Sequence, residues 1–169
     1  MNRPEAVAVV ALLVLLAWGL MYLGWKHRQA RQADVATPEP VTEALSERAR
    51  AHGVEGSYVS TTSAGEPLER ITAHGLGIGG VAHVLVVDSP AGVVIDRTGA
   101  PGLLVPATAL ADVRVESMRA GKAAPHGLLV VEWRLGDRAV ATAFRPRDPK
   151  DREPLMRSVR ALIARQDAA

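Results

Sequence analysis

The chain has 169 residues, 48% of them apolar, and a formal charge of +2. That apolar fraction excludes a disordered, collagen-like or low-complexity chain, and the length suits one domain with an appendage. The absence of cysteine excludes a disulfide framework, a thiolate metal site and a cysteine nucleophile. Nearly balanced signs, 20 basic against 18 acidic residues, argue against a nucleic-acid partner.

Taken in chain order, a short head at 1–5 precedes residues 6–25, AVAVVALLVLLAWGLMYLGW, which carry no ionisable group except Tyr22. A helix of that length spans roughly 30 Å, the thickness of a bilayer's hydrocarbon core. Its six leucines and four valines contribute roughly −3 to −6 kcal/mol towards insertion. Trp18, Tyr22 and Trp25 gather at its carboxyl end, as an interfacial belt does. A cleaved signal peptide would be shorter and end in small residues, whereas Trp25-Lys26-His27-Arg28 follows here. The expectation is an uncleaved transmembrane helix over 6–25, with the lipid bilayer as its partner. Lys26, Arg28 and Arg31 follow it, against Arg3 alone before it. The positive-inside rule then puts the amino terminus outside and the rest of the chain at the cytoplasmic face of the plasma membrane.

Residues 26–55 read as a juxtamembrane linker. Pro38 and Pro40 break any helix leaving the membrane, and 41–52 offers only a weak stripe of Val41, Ala44, Leu45 and Ala49. That stretch is expected to be a mostly solvated stalk. Strand patterns begin at 56: the hydroxyl-rich 57–62, the apolar runs 81–87 and 92–97, then 103–105 stopped by Pro106. Residues 112–116 alternate strictly. Leu129, Val131, Trp133 and Leu135 share one strand face, and Gly136-Asp137 supplies a turn into a return strand with Val140, Thr142 and Phe144. A helix over 149–166 closes the chain, capped by Asp148, with a stripe of Leu155, Val159, Leu162 and Ile163. The fold expected for 56–169 is mostly β: about seven strands in a partly open barrel, capped by one C-terminal α-helix.

Seven strands and a terminal helix follow the pleckstrin-homology (PH) plan. The stretches Gly-Ser-Tyr-Val-Ser-Thr-Thr (56–62), Arg-Ile-Thr-Ala-His-Gly-Leu-Gly (70–77), Ala-Gly-Lys (120–122), Gly-Leu-Leu-Val-Val-Glu-Trp-Arg-Leu-Gly-Asp (127–137) and Ala-Phe-Arg (143–145) resemble an actinobacterial group of single-span membrane proteins with a bacterial PH-like domain. A usage of 17 arginines to 3 lysines fits a GC-rich genome. The resemblance implies a fold and a membrane location, and supplies no established active site to carry over. Many PH domains hold inositol phosphates with basic residues in the first strand–strand loop. Here 63–80 has only Arg70, offset by Glu66 and Glu69, so phosphoinositide binding is not expected.

Chemical motifs are sparse. Gly75, Gly77 and Gly80 spell G-x-G-x-x-G, but a strand pattern follows them where a dinucleotide site needs a helix. No two histidines stand three or four residues apart, which excludes the usual helical metal pair. Asp148 and Asp151 read as helix-start residues, and no nucleophile, base and oxyanion donors assemble. The chain is therefore expected to be no enzyme, with no cofactor or metal. The basic residues best placed to face an anion or lipid are Arg119 and Lys122 in one turn, and Arg145 and Arg147 near the last helix. The expected function is a single-pass membrane-anchored PH-like binding or scaffolding module that engages a protein partner. The alternative is an auxiliary subunit of a transporter, export or envelope complex.

Overall fold

Valine-rich runs separated by glycine and proline build an eight-stranded antiparallel sheet, ordered β1-β5-β4-β3-β2-β8-β7-β6. The strands are β1 (Glu39–Pro40), β2 (Val54–Ser63), β3 (Gly80–Asp88), β4 (Ala91–Arg97), β5 (Leu103–Pro106), β6 (Leu110–Arg119), β7 (Lys122–Leu135) and β8 (Arg138–Pro146). The computed structural model describes residues 3–32, 35–88, 90–119 and 121–168; the side chains of 3–6, 8, 25–31, 118–119 and 122–126 lie outside that description. Two compact units divide the chain, Met1–Asp34 and Val35–Ala169.

The first unit holds helix α1 (Arg3–Arg31). Its large apolar side chains are exposed, from Val9 at 48% to Trp18 at 73%. Among the described residues no helix is long and apolar enough to cross a membrane. Side chains are described without a break only over 9–24, while the sequence's apolar run covers 6–25. The side chains of Lys26, Arg28 and Arg31, the expected topology signal, lie outside the described residues.

In the second unit the sheet is partly open and its concave side is filled. Tyr58, Trp133, Phe144, Leu129, Val93, Ile95 and Leu103 meet there at 2% exposure or less. Helix α3 (Arg152–Asp167) packs Leu155, Met156, Val159 and Leu162 into the same core, with Ile163 partly buried against it. Each such aliphatic burial stabilises by about 1.5–3 kcal/mol. Asp148 accepts a hydrogen bond from the Lys150 backbone N–H at 2.9 Å. It caps a 3-10 turn (Pro149–Asp151), which opens into α3. The Gly136-Asp137 turn joins Leu135 and Arg138 as partners, with Gly136 at φ +59°.

Four hydrogen bonds run through the core in one direction. The indole Nε1–H of Trp133 donates to Thr142 Oγ1 at 2.9 Å, and Tyr58 donates to the Leu76 carbonyl at 2.8 Å. A hydroxyl carries a single proton. Tyr58 Oη must therefore accept from Thr61 Oγ1 (2.7 Å), which in turn accepts from Thr142 Oγ1 (2.8 Å). Every member is buried, so each bond satisfies a group that would otherwise be costly.

The structure departs from the expected linker. The compact unit begins at Val35, not at 56, and Val35 itself is buried. Residues 39–40 form an extra strand, pairing Glu39 with Leu104 and Pro40 with Leu103 at the edge of β5. The prolines that break a helix also suit an edge strand. Helix α2 (Glu43–His52) is docked rather than a solvated stalk: Leu45 and Ala49 pack on Val87, Val94 and Leu104. A weak stripe suffices because the outer face of β3, β4 and β5 is itself apolar there. Unbroken runs such as Val84-Leu85-Val86-Val87 mark strands buried on both faces.

Replacing Thr142 with Val removes the acceptor of Trp133 and the donor to Thr61. Urea unfolding of this variant should show a loss of about 1–3 kcal/mol, whereas Ser158→Ala on the exposed side of α3 should stay within about 0.5 kcal/mol. Ala49 has no exposed surface, so Ala49→Asp should cost at least about 2 kcal/mol in the same measurement; a silent substitution would mean that α2 is undocked.

Candidate functional site

The chain leaves β8 and enters α3 around a cleft of about 490 Å³. Antiparallel pairing places its floor. Ser57 of β2 lies opposite Val81 of β3 on one side and Arg145 of β8 on the other, a row across three strands. Phe144 fills the core, so its neighbour Arg145 points to the opposite face and is exposed. Two residues further on, Arg147 lies beside Glu55, and its Nη1 is 2.6 Å from Glu55 Oε1. The Arg147 backbone N–H also donates to the Glu55 carbonyl at 2.9 Å, which fixes the chain where β8 ends.

Arg152, the first residue of α3, completes the lining. Its guanidinium lies over Gly127 of β7: a Cβ there would stand 3.1 Å from Arg152 Nη1 and 2.6 Å from Val115 Cγ1. Gly127 also has φ +81°, which a side chain would strain. A smaller hollow of about 280 Å³ adjoins the cleft and shares Ser57 and Arg145 with it. The described charged residues of the main cleft are three arginines and one glutamate.

Of the expected anion-facing residues, the structure brings Arg145 and Arg147 together. Arg119 and Lys122 pair with each other in the β6–β7 hairpin, and their side chains lie outside the described residues. Arg152 and Ser57 belong to the cleft without having been expected there. Arg152 did carry a sequence signal, because a cation at the first turn of a helix opposes the helix dipole. Ser57 carried none, since only strand pairing sets it beside Arg145.

A buried arginine elsewhere has a different task. Arg97 is 7% exposed, and its guanidinium sits 4.7 Å from the centre of the Tyr58 ring. It donates to the carbonyls of Gly75 (3.0 Å) and Pro101 (2.8 Å), tying two loops over that ring. Burial lowers the pKa of Arg97 and raises that of Tyr58, so the phenol keeps the proton its hydrogen bond requires. Nothing in the sequence marks Arg97, since a strand-terminal arginine usually faces solvent.

The remaining motifs resolve into structure. Gly80 opens strand β3, so no helix N-terminus follows the glycine triplet. His74 sits in a turn at φ +51° with Nε2 2.9 Å from the Val35 carbonyl, while His83 pairs with Glu55 and Asp96 within the sheet. Among the described residues no group of three or more metal-ligating side chains gathers.

A search of curated proteins finds no match to the chain. The family described as Bacterial PH domain-like matches residues 35–160, beginning at the residue where the compact unit begins. With an antiparallel sheet, a docked C-terminal helix and that match over most of its length, the chain belongs to the bacterial PH domain-like family.

Proposed function

We propose that the protein is a membrane-anchored, non-enzymatic binding module whose PH-like domain engages a protein partner at the cytoplasmic face of the plasma membrane. One observation carries this reading: a twenty-residue run with no charge, 6–25, precedes a PH-like domain, a fold that suggests a binding module. The outward-facing apolar side chains of α1 support it, because water solvates such a surface poorly and lipid does not. Orientation follows from the basic residues after the run, Lys26, Arg28 and Arg31. The same run has no intramembrane charge, so an auxiliary role in a transporter or envelope complex would require polytopic partners.

A reporter fused after Ala169 should be active only on the cytoplasmic side. Reversing the basic cluster (K26E, R28E, R31E) should move much of it outside; exclusive external activity of the unaltered chain would overturn the orientation. Purification of the full chain in mild detergent after proximity labelling should recover soluble cytoplasmic proteins. Recovery of polytopic proteins alone would favour the auxiliary subunit, and substrate turnover would end the non-enzymatic reading.

A further inference from the structure

We propose that His83 is a proton-operated clamp: on taking up a proton, its imidazole joins Glu55 and Asp96 across three strands and tightens the docking of α2. This inference concerns the outer face of the sheet and stands apart from the membrane orientation, the protein partner and the arginine cleft above.

Antiparallel register sets the row. His83 of β3 lies directly opposite Glu55 of β2 on one side and Asp96 of β4 on the other. Its neighbours Ala82 and Val84 fill the core, so alternation turns His83 to the outer face, where α2 is docked. Side chains directly opposite across paired strands have Cβ atoms about 4.5–5.5 Å apart, within reach of an imidazole and a carboxylate. An arginine closes each end of the row. Arg147 Nη1 lies 2.6 Å from Glu55 Oε1, and Arg50 Nε of α2 donates to Asp96 Oδ2 at 3.0 Å. Arg50 also donates to Glu43 Oε1 at 3.1 Å.

Two observations mark the imidazole as the unfinished member. Its Nδ1 is buried and has no hydrogen-bond partner among the described residues. Each neighbouring carboxylate meets its arginine through one oxygen and has its other oxygen unengaged among the described residues. A neutral ring has one N–H and one lone pair, whereas an imidazolium has two donors for those two oxygens. Charge agrees. With a neutral ring, two arginines face three carboxylates, and the row carries one net negative charge. A proton on His83 cancels it and makes the signs alternate from Arg147 through Glu55, His83, Asp96 and Arg50 to Glu43. Asp96 is only 13% exposed, so solvent and salt screen this gain less than they would at an open surface.

The clamp acts on α2 because Asp96 is shared. Apolar docking of that helix rests on Leu45 and the small Ala49, so the ionic tie from Arg50 to Asp96 matters to its last turns. An imidazolium on the second oxygen of Asp96 fixes the carboxylate in place for Arg50, and less order is lost in making that bond. Proton uptake and docking therefore favour each other: docking tightens as pH falls and relaxes as pH rises. Imidazole is the side chain whose charge changes between about pH 5 and 8. A second imidazole, His52, is exposed in the last turn of α2, where a cation also favours the helix.

The test measures hydrogen exchange of the α2 amides in the full chain in detergent micelles, converted to protection factors at several values between about pH 8 and 5, with α3 as internal reference. Protection of α2 relative to α3 should rise by about three- to tenfold on acidification. His83→Gln should abolish the rise, and His52→Gln should leave it intact. Should His83→Gln fail to fold, Glu55→Gln changes a half-exposed side chain and serves instead: it should at least halve the rise. A rise that persists in His83→Gln, or is lost in His52→Gln, would overturn the proposal. So would relative protection that stays level or falls on acidification, or a rise that Glu55→Gln leaves unaltered.

Discussion

The hydroxyl of Tyr58 has one proton, and the second unit is organised around where that proton goes. It goes to the Leu76 carbonyl, and this choice forces Thr61, Thr142 and Trp133 to donate in sequence. A chain with a single allowed direction joins β7, β8, β2 and the connection before β3. Tyr58 also lies where β2 loses one of its two neighbours: pairing with β3 ends at Tyr58, while pairing with β8 runs from Gly56 to Ser63, with a bulge between Tyr58 and Ser60. A bulge bends its strand and turns side chains to new directions. The core bonds hold that bend, and the row Val81–Ser57–Arg145 lies on the opposite face immediately before it. The cleft is thus positioned by a polar network that none of its own residues joins.

Much of this architecture was legible because alternation is a local property. Leu129, Val131, Trp133 and Leu135 share a face in the sequence and share the core in the structure. The turn at Gly136-Asp137 and the α3 stripe were equally readable, since each is determined within a few residues. What failed to show was burial supplied by a distant partner. Leu45 and Ala49 look like a weak stripe until the apolar outer faces of β3, β4 and β5 are set beside them. Likewise Leu128, Val130, Ala141 and Ala143 form a second buried cluster with Val59 on the face opposite the core. Read alone, alanines alternating with larger residues suggest a wet face; across two paired strands they make a continuous apolar surface.

The candidate site divides along the same line. Arg145 and Arg147 are two apart at a strand end, so the strand period alone puts both on one face. Their grouping was readable. Glu55, Ser57 and Arg152 lie about 90 residues away or across a strand–helix corner, and only topology delivers them. Arg119 and Lys122 belong to a different hairpin, and their side chains lie outside the described residues. Sequence spacing therefore distinguishes residues that share an element, while charge balance within a cleft is a tertiary quantity.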